Sequence, residues 1–457
     1  MVMERTSILP DKVEFKSASG REEVLVRDRS TKMLCGLSPK AIYRPLQGRG
    51  LFFGKLNKPR ETAELFADSV SHENLTSPRN SAGLEAHKEL LGTRDAFLDV
   101  LASRVANAIF NKAPPCSEDS PFMAVPDNLF LRCSLANETT SADERKYFPF
   151  VLSRGIFEFD EFLTRAVPVQ DKLKPSDHTK EIKKVDLQLI DPKTGIVVPL
   201  SIDKAIVLGK LYGIALLMGH WDILNNINLS NSGAKEDKNG NLIPAIVDWG
   251  NCLGAGLKGL PKDQICFRNP DIFQRAKHDL KGRGIEGLEH TVPFDGVVYP
   301  LLPRQLVDDL FDMSGSDPIS RAVFEGFESA CKQAEKALVH LDDLIHGATV
   351  EALYEHTNAV DAEYVNSELL PSFYLPDQKS DYTLAKIMRE RIHSLREIIE
   401  QLKSGVPLQE IAKRRLETII NSQKGLIKGL GLFESNSNGA ISSLGDSPKL
   451  NSLKNGQ

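Results

Sequence analysis

The sequence predicts an α+β fold in two parts, and three observations carry that expectation. β-type runs dominate up to about residue 155, broken by a single helical stretch. From Ser201 onward, apolar residues recur mainly three and four apart, the spacing of a helix face. The polar residues best placed for chemistry, Asp222, Asn226 and Asp248, fall in the second part. The first two follow an apolar helix, and the third ends a hairpin.

Residues 1–35 are polar and mixed, which predicts an irregular lead-in with short strands. Ala41-Ile-Tyr-Arg-Pro-Leu46 and Leu51-Phe-Phe-Gly-Lys-Leu56 read as two strands around the turn Gln47-Gly-Arg-Gly50. The Lys-, Pro-, Ser- and Asn-rich residues 57–82 read as a loop or insertion. A helix is expected from Asp95 to Ile109, with Leu98, Leu101, Val105 and Ala108 on one face and Pro114-Pro115 as its stop. Asn128–Cys133 and Tyr147–Ser153 are the next strands.

In the second part, Ile202 to Met218 is an apolar helix. Asn239-Gly240 should supply two positive-φ positions to a tight hairpin turn. Asp317-Pro318 begins another helix, Asp as N-cap and Pro in the first turn, whose face carries Val323, Phe324, Phe327, Cys331, Ala334, Leu338 and Leu341. Residues 383–430 hold ten Lys and Arg against five Glu. Their stripe Leu384, Ile387, Met388, Ile392, Leu395, Ile398, Ile399 and Leu402 predicts a helical hairpin, either docked on the rest or standing alone. The Ser-, Asn- and Gly-rich residues 434–457 read as a disordered tail.

At 457 residues the chain has room for two or three domains, and a net charge of −5 with 26% charged residues does not ask for nucleic acid. The six cysteines form no C-x-x-C pair, which fits reduced thiols in a cytosol-like compartment. No apolar run is long enough to span a bilayer, and Met1-Val-Met-Glu-Arg-Thr lacks the basic start and apolar core of a secretory signal. The expected protein is soluble, with any membrane contact peripheral.

Phosphoryl transfer from ATP needs a carboxylate to orient the attacking hydroxyl, and an Asn and a second Asp to hold Mg²⁺ across the phosphates. Asp222, Asn226 and Asp248 occur in that order. Lys55 sits on an apolar strand, where an unpaired charge is costly, so it should reach an anion; Arg44 on the preceding strand is the competitor. The plain alternatives are a solvated edge-strand lysine, loop-capping asparagines, and a turn aspartate closing a hairpin.

Gly219-His-Trp-Asp-Ile-Leu-Asn-Asn-Ile-Asn-Leu229 followed by Ala245-Ile-Val-Asp-Trp-Gly250 resembles the catalytic loop and metal-binding strand of atypical kinases. These include phosphoinositide kinases, HipA-type kinases and the remote kinase-like effectors of Legionella-type bacteria, to which the chain is most similar. The resemblance covers residues 40–345. It implies a two-lobed protein-kinase-like fold: a lead-in at 1–35, a β-rich N-lobe at 36–160 and a helical C-lobe at 161–370. A C-terminal helical appendage at 371–433 and the tail would follow.

The resemblance also implies roles. Asp222 would orient the acceptor, Asn226 and Asp248 would hold Mg²⁺ (or Mn²⁺), and Lys55 would clamp the ATP phosphates. The family places its asparagine five residues after the aspartate, where this chain has Ile227. Asn226 therefore needs a loop one residue shorter, and Asn228 is the alternative. The carboxylate partner of Lys55 maps to Asp99, with Glu85, Glu89 and Asp95 as alternatives. Adenine would lie against Phe150-Val-Leu-Ser153, using backbone groups of Val151 and Leu152. His220 has a packing role, and Trp221 and Trp249 wall the site. Gln47-Gly-Arg-Gly50 could cover phosphates, although a full Gly-rich loop is absent.

The implied activity is phosphotransfer to protein hydroxyls, autophosphorylation included, by an effector acting in a host cell at membranes. The alternatives are a phosphoinositide kinase and a catalytically weak kinase-like module that binds host protein or lipid. Lys172, Lys174, Lys180, Lys183 and Lys184, then Arg275, Lys277, Lys281 and Arg283, and then the 383–430 helices are basic patches that could contact an anionic membrane or an inositol phosphate.

Overall fold

Six short strands whose residues alternate between two cores make the first part of the molecule. The computed structural model describes residues 9–17, 19–30, 40–47, 50–56, 93, 96–113, 120–134, 147–154, 160–161, 164–166, 187–190, 197–198, 200–220, 232–250, 252–253, 291–294, 297–300, 318–369, 384–406, 410–411 and 414. The strands are β1 (Lys12–Lys16), β2 (Glu22–Arg27), β3 (Lys40–Pro45), β4 (Phe52–Leu56), β5 (Asp127–Ser134) and β6 (Tyr147–Arg154). They form one antiparallel sheet in the order β1-β2-β3-β4-β6-β5. One face buries Val13, Phe15, Leu25, Tyr43, Phe52, Leu56, Leu129, Leu131, Phe150 and Leu152. The other sends Phe130 and Val151 into a larger core shared with the helices.

The expected boundary at residue 35 therefore falls inside a sheet. The lead-in supplies β1 and β2, whose exposed Lys and Glu alternate with buried Val13, Phe15 and Leu25 and so conceal the pattern. The sheet's two edge strands are also tied together. Phe130 N–H of β5 donates to the His356 carbonyl at 2.7 Å, Asn358 N–H donates back to the Phe130 carbonyl at 2.9 Å, and Ala359 N–H donates to Lys16 of β1 at 2.6 Å. One segment thus covers backbone groups of both edges, which would otherwise be free to pair with another chain.

Helix α1 (96–107) crosses the inner face of the sheet and ends in a wider turn, Ala108–Lys112, before extended Ala113. β7 (Asp160–Glu161), β8 (Thr164–Ala166), β9 (Leu187–Ile190) and β10 (Val197–Val198) lead to helix α2, Ile202–Met218. Ser201 caps α2, accepting from Lys204 N–H, and Gly219 closes it with φ 62°. This is the left-handed C-terminal position that glycine takes without steric cost. β11 (Ser232–Glu236) and β12 (Leu242–Ile246) form a hairpin, with β7 on the outer side of β11. In its turn only Gly240 has positive φ; Asn239 does not. The Asp237 carboxylate accepts from the Asn239 and Asn241 N–H groups at 2.8 and 2.9 Å, so a side chain shapes the turn instead of a second left-handed residue. β13 (Thr291–Phe294) and β14 (Val297–Pro300) form a further hairpin.

Helix α3 (Pro318–Ala337) continues through the turn Leu338–His340 into α4 (Leu341–Tyr354). α2 and α3 cross backbone to backbone. A Cβ at Gly209 would overlap the Val323 carbonyl, and one at Gly326 the Ile206 carbonyl. Helix α5 (Leu384–Lys403) buries Ile387, Met388, Arg391, Ile392, Leu395, Ile398, Ile399 and Leu402. It packs on α2, α3 and α4 within the main core.

Helix α5, the described part of the expected appendage, thus belongs to that core. Burial of these aliphatic side chains is worth on the order of ten kcal/mol before chain entropy is counted. The apolar stripe of α5 is consequently not available to lie in a bilayer, and only its charged outer face remains for anions. Among the described residues, no helix is long and apolar enough to cross a membrane.

Candidate functional site

Three elements far apart in sequence bring charged side chains to one point. Lys55 lies on β4, where Gly54 and Leu56 face the other core, so its side chain projects from the inner face of the sheet toward α1. Its Nζ is 3.0 Å from Asp248 Oδ1 and 3.5 Å from Asp99 Oδ2. Asp99 is the one carboxylate on α1 and is 3% exposed. Asp248 follows β12 by two residues and retains 15% of its side-chain exposure, while Lys55 retains 20%. The cluster is therefore open on the Asp248 side and closed on the Asp99 side.

Both aspartates are held by neighbours. Asp99 Oδ1 accepts from Asn128 Nδ2 and from the Trp249 N–H, each at 3.1 Å. Asp248 Oδ1 accepts from the Gly250 N–H at 3.1 Å. The His220 Nε2 lies 2.7 Å from the Asp248 carbonyl oxygen. That oxygen can only accept, so Nε2 carries the proton. Trp249 is wholly buried and donates its indole N–H to the Ile246 carbonyl at 3.1 Å, which closes the floor of the site. Gly250 leaves room for the cluster: a Cβ there would sit 2.9 Å from Lys55 Nζ and 3.1 Å from Asp248 Oδ1.

A second cation completes the set. Lys40, the first residue of β3, pairs in register with Lys55, and its Nζ is 3.4 Å from Asp248 Oδ2. Two lysines thus face two aspartates. Burial pushes the Asp99 carboxyl up, to about 6; Lys55 opposes this and the Asp248 charge adds to it. Burial acts on Asp248 in the same sense, but Lys55 and Lys40 outweigh it and hold that carboxyl well below the usual range.

The structure thus brings Lys55, Asp99 and Asp248 together and adds His220 and Trp249 behind them. Arg44 is taken up elsewhere: it is 60% exposed, and its Nε donates to Asp28 at 2.7 Å. Leu152 faces the opposite core from Lys55. Val151 is on the Lys55 face, but β6 is paired with β4 on one side and β5 on the other through Arg154. A central strand has no main-chain groups left for adenine, so Val151 and Leu152 do not form the expected backbone contact. Asp222, Asn226, Asn228, Trp221, Glu85, Glu89, Asp95 and the two basic runs at 172–184 and 275–283 lie outside the described residues.

Three positions at or beside the site escaped the sequence reading. Lys40 could have been found by counting back along the expected hairpin to the residue opposite Lys55. Asn128 on β5 and Arg391 on α5 carry no local signal, because their partners are remote in sequence. Asn128 is fully buried, and its Oδ1 has no hydrogen-bond partner among the described residues.

Among the described residues, no group of three or more His, Cys, Asp or Glu is arranged to hold a metal. Mg²⁺ does not require one: it takes one or two carboxylates and completes its shell with water and phosphate oxygens. Asp248, partly open and ionised, fits as one such hard oxygen donor. Comparison with protein-family models, with curated proteins and with solved structures gives no match to this chain.

Proposed function

We propose that the protein is a Mg-ATP-dependent phosphotransferase, an atypical kinase that transfers phosphate to protein hydroxyls, its own included. The observation that carries this is the meeting of Lys55, Asp99 and Asp248, from a strand, a helix and the end of a hairpin, around one ammonium. A buried carboxylate that orients a lysine beside a more exposed carboxylate is what a nucleotide-phosphate and metal site requires. Lys55 would engage the phosphates, kept in place by Asp99. Asp248 would hold Mg²⁺, with Asn226 as the second ligand, and Asp222 would orient the acceptor hydroxyl. The metal supplies charge neutralisation across the phosphates when bound. His220 fixes the main chain of Asp248, and Trp249 excludes water from below.

The test is incubation of the full chain with γ-labelled ATP and Mg²⁺, a generic protein substrate and phosphoinositide vesicles, with mass spectrometry of the products. Phosphate on protein, lost in Lys55→Met and Asp248→Asn, is the expected result. Label in lipid alone would reassign the chain to the phosphoinositide kinases, and addition of AMP to nucleotide transfer. Absence of any turnover or nucleotide binding would leave only a binding module.

A further inference from the structure

We infer that Lys40 is a second phosphate-binding cation, held by Asp248 without nucleotide and released to the triphosphate when metal takes Asp248. The inference rests on the phosphotransferase reading and goes beyond it by assigning a role to a residue that reading does not use. Three observations support it.

Lys40 and Lys55 are direct partners across the β3–β4 hairpin, so both side chains leave the same face of the sheet, toward the same carboxylate. They take different oxygens of it, Lys55 at Oδ1 and Lys40 at Oδ2. Lys40 therefore occupies the oxygen of Asp248 that Lys55 and the Gly250 N–H leave free, and so the one a metal ion would take.

The two lysines are also anchored unequally. Lys55 has a second, buried carboxylate in Asp99 and keeps it if Asp248 binds metal. Lys40 has Asp248 as its one ion-pair partner among the described residues and stays 22% exposed at the start of its strand, on a flexible four-carbon stem. A metal ion on Asp248 would part the Lys40 ammonium from that counter-ion beside the place where the phosphates must arrive.

Charge gives a reason for two lysines. Among the described residues Lys40 and Lys55 balance Asp99 and Asp248, so this cluster alone offers a triphosphate little net attraction. The turn Gln47-Gly-Arg-Gly50 is too short in glycine for a loop that wraps phosphates in N–H groups. A cation displaced from a carboxylate to a phosphate compensates for that missing cradle.

The experiment measures equilibrium binding of ATP, ADP and AMP to the full chain, with and without Mg²⁺, and binding of Mn²⁺ alone, for wild type, Lys40→Met, Lys40→Arg and Lys55→Met. Lys40→Met should weaken ATP about tenfold, the scale of one charge-assisted contact, and leave AMP within about twofold. Lys40→Arg should recover most of that loss. Mn²⁺ alone should bind Lys40→Met several-fold more tightly, because it no longer displaces an ammonium; a lysine that merely holds the fold would not tighten metal binding. If Lys40→Met leaves ATP affinity unchanged while Lys55→Met abolishes it, the inference is overturned and the phosphotransferase reading stands. The inference also falls if ATP and AMP weaken alike, or if Mn²⁺ binding weakens too. If wild type binds no nucleotide, both fall together.

Discussion

His220 and Asp248 are joined by a 2.7 Å hydrogen bond from the imidazole Nε2–H to the main-chain carbonyl, across 28 residues of sequence. The bond ties His220, two residues past the end of α2, to the residue that carries the partly open carboxylate. The ring is fully buried, with its centroid 5.9 Å from that of Trp249. His220→Ala should therefore leave the Asp248 carbonyl without this donor and open a void beside Trp249. The expected loss is about 2–4 kcal/mol of unfolding free energy. Phosphotransfer should fall at least tenfold at temperatures where the variant remains folded. Denaturant unfolding followed by a turnover assay at matched folded fraction checks both; full activity in the folded variant would show that the bond serves stability alone.

Gly250 offers a cleaner separation of chemistry from folding. Its φ is not positive, so alanine meets no backbone penalty there. The nearest obstacle to a Cβ is the far end of Lys55, at 2.9 Å, which can move away. Gly250→Ala should thus change stability by less than about 1 kcal/mol and yet push the ammonium off Asp248. We expect nucleotide affinity to drop by about tenfold or more with an unchanged unfolding midpoint. Unchanged nucleotide binding would mean that Lys55 and Asp248 need not meet for the site to work.

Why some of this was legible and some was not follows from where each residue's partners lie. α2 could be bounded at Ile202 and Met218 because its cap, its periodicity and its terminal glycine are all local. Lys55 could be singled out because it is a charge on an apolar strand, whereas Asp99 and Asp248 came from the resemblance to kinases, Asp248 by the Trp-Gly that follows it. Their contact depends on α1 crossing the sheet, which no local pattern records. Lys40 was hidden by the strand being expected to start at Ala41, one residue late. α5 looked separable because its basic outer face is local information, whereas its burial against α2, α3 and α4 is not. The Gly209–Gly326 crossing was invisible for the same reason: each glycine is explained only by the other helix.

Arg391 shows what α5 contributes to the site. It is 3% exposed, and its Nη1 donates to the Leu217 carbonyl at 2.9 Å, in the last turn of α2. A Cβ on Gly219 would lie 2.9 Å from the same nitrogen, so the guanidinium packs directly on the turn that delivers His220. A cation at a helix C-terminus meets the negative end of the helix dipole as well as an orphan carbonyl. Arg391→Met keeps much of the volume and removes both interactions, with an expected cost of about 2–4 kcal/mol. Gly219→Ala should cost about 1–2 kcal/mol from its left-handed backbone, and more from the displaced guanidinium. Because Arg391 and Gly219 share one contact, the double variant should be less destabilised than the sum of the singles. Strict additivity in a denaturant double-mutant cycle would argue that the two do not act as a unit.

His356 makes the stability of the molecule depend on pH through the segment that ties the sheet edges. The ring is buried, with Nδ1 2.8 Å from the Asn128 carbonyl and 3.0 Å from Asp127 Oδ1, and Nε2 3.6 Å from Glu351 Oε1. The Arg104 guanidinium faces Nε2 at 3.3 Å. Burial alone would lower the pKa of His356, and Arg104 acts in the same sense. The Asp127 and Glu351 carboxylates beside the ring outweigh both, so the net shift is upward. The His356 ring, helped by Lys112, in turn holds Glu351 down to about 2 against its burial. A histidine whose folded pKa exceeds its unfolded value of about 6.5 binds its proton more tightly in the folded state. Its stabilisation is complete below that unfolded value and is lost as pH rises through the raised one. For Glu351 the sign is opposite: its contribution holds above about 4.5 and fades as pH falls toward its depressed value. The cluster should therefore stabilise most between about pH 5 and 6.5. His356→Gln should cost about 1–3 kcal/mol there and progressively less toward pH 9. Because Asn128 holds Asp99 with its side chain while its carbonyl rests on His356, nucleotide affinity should weaken more steeply over the same rise in pH in wild type than in the variant, which keeps only the titration of Asp99 near 6. Thermal unfolding of both proteins from pH 5 to 9 decides the point, and a gap between them that does not change with pH would exclude titration of His356.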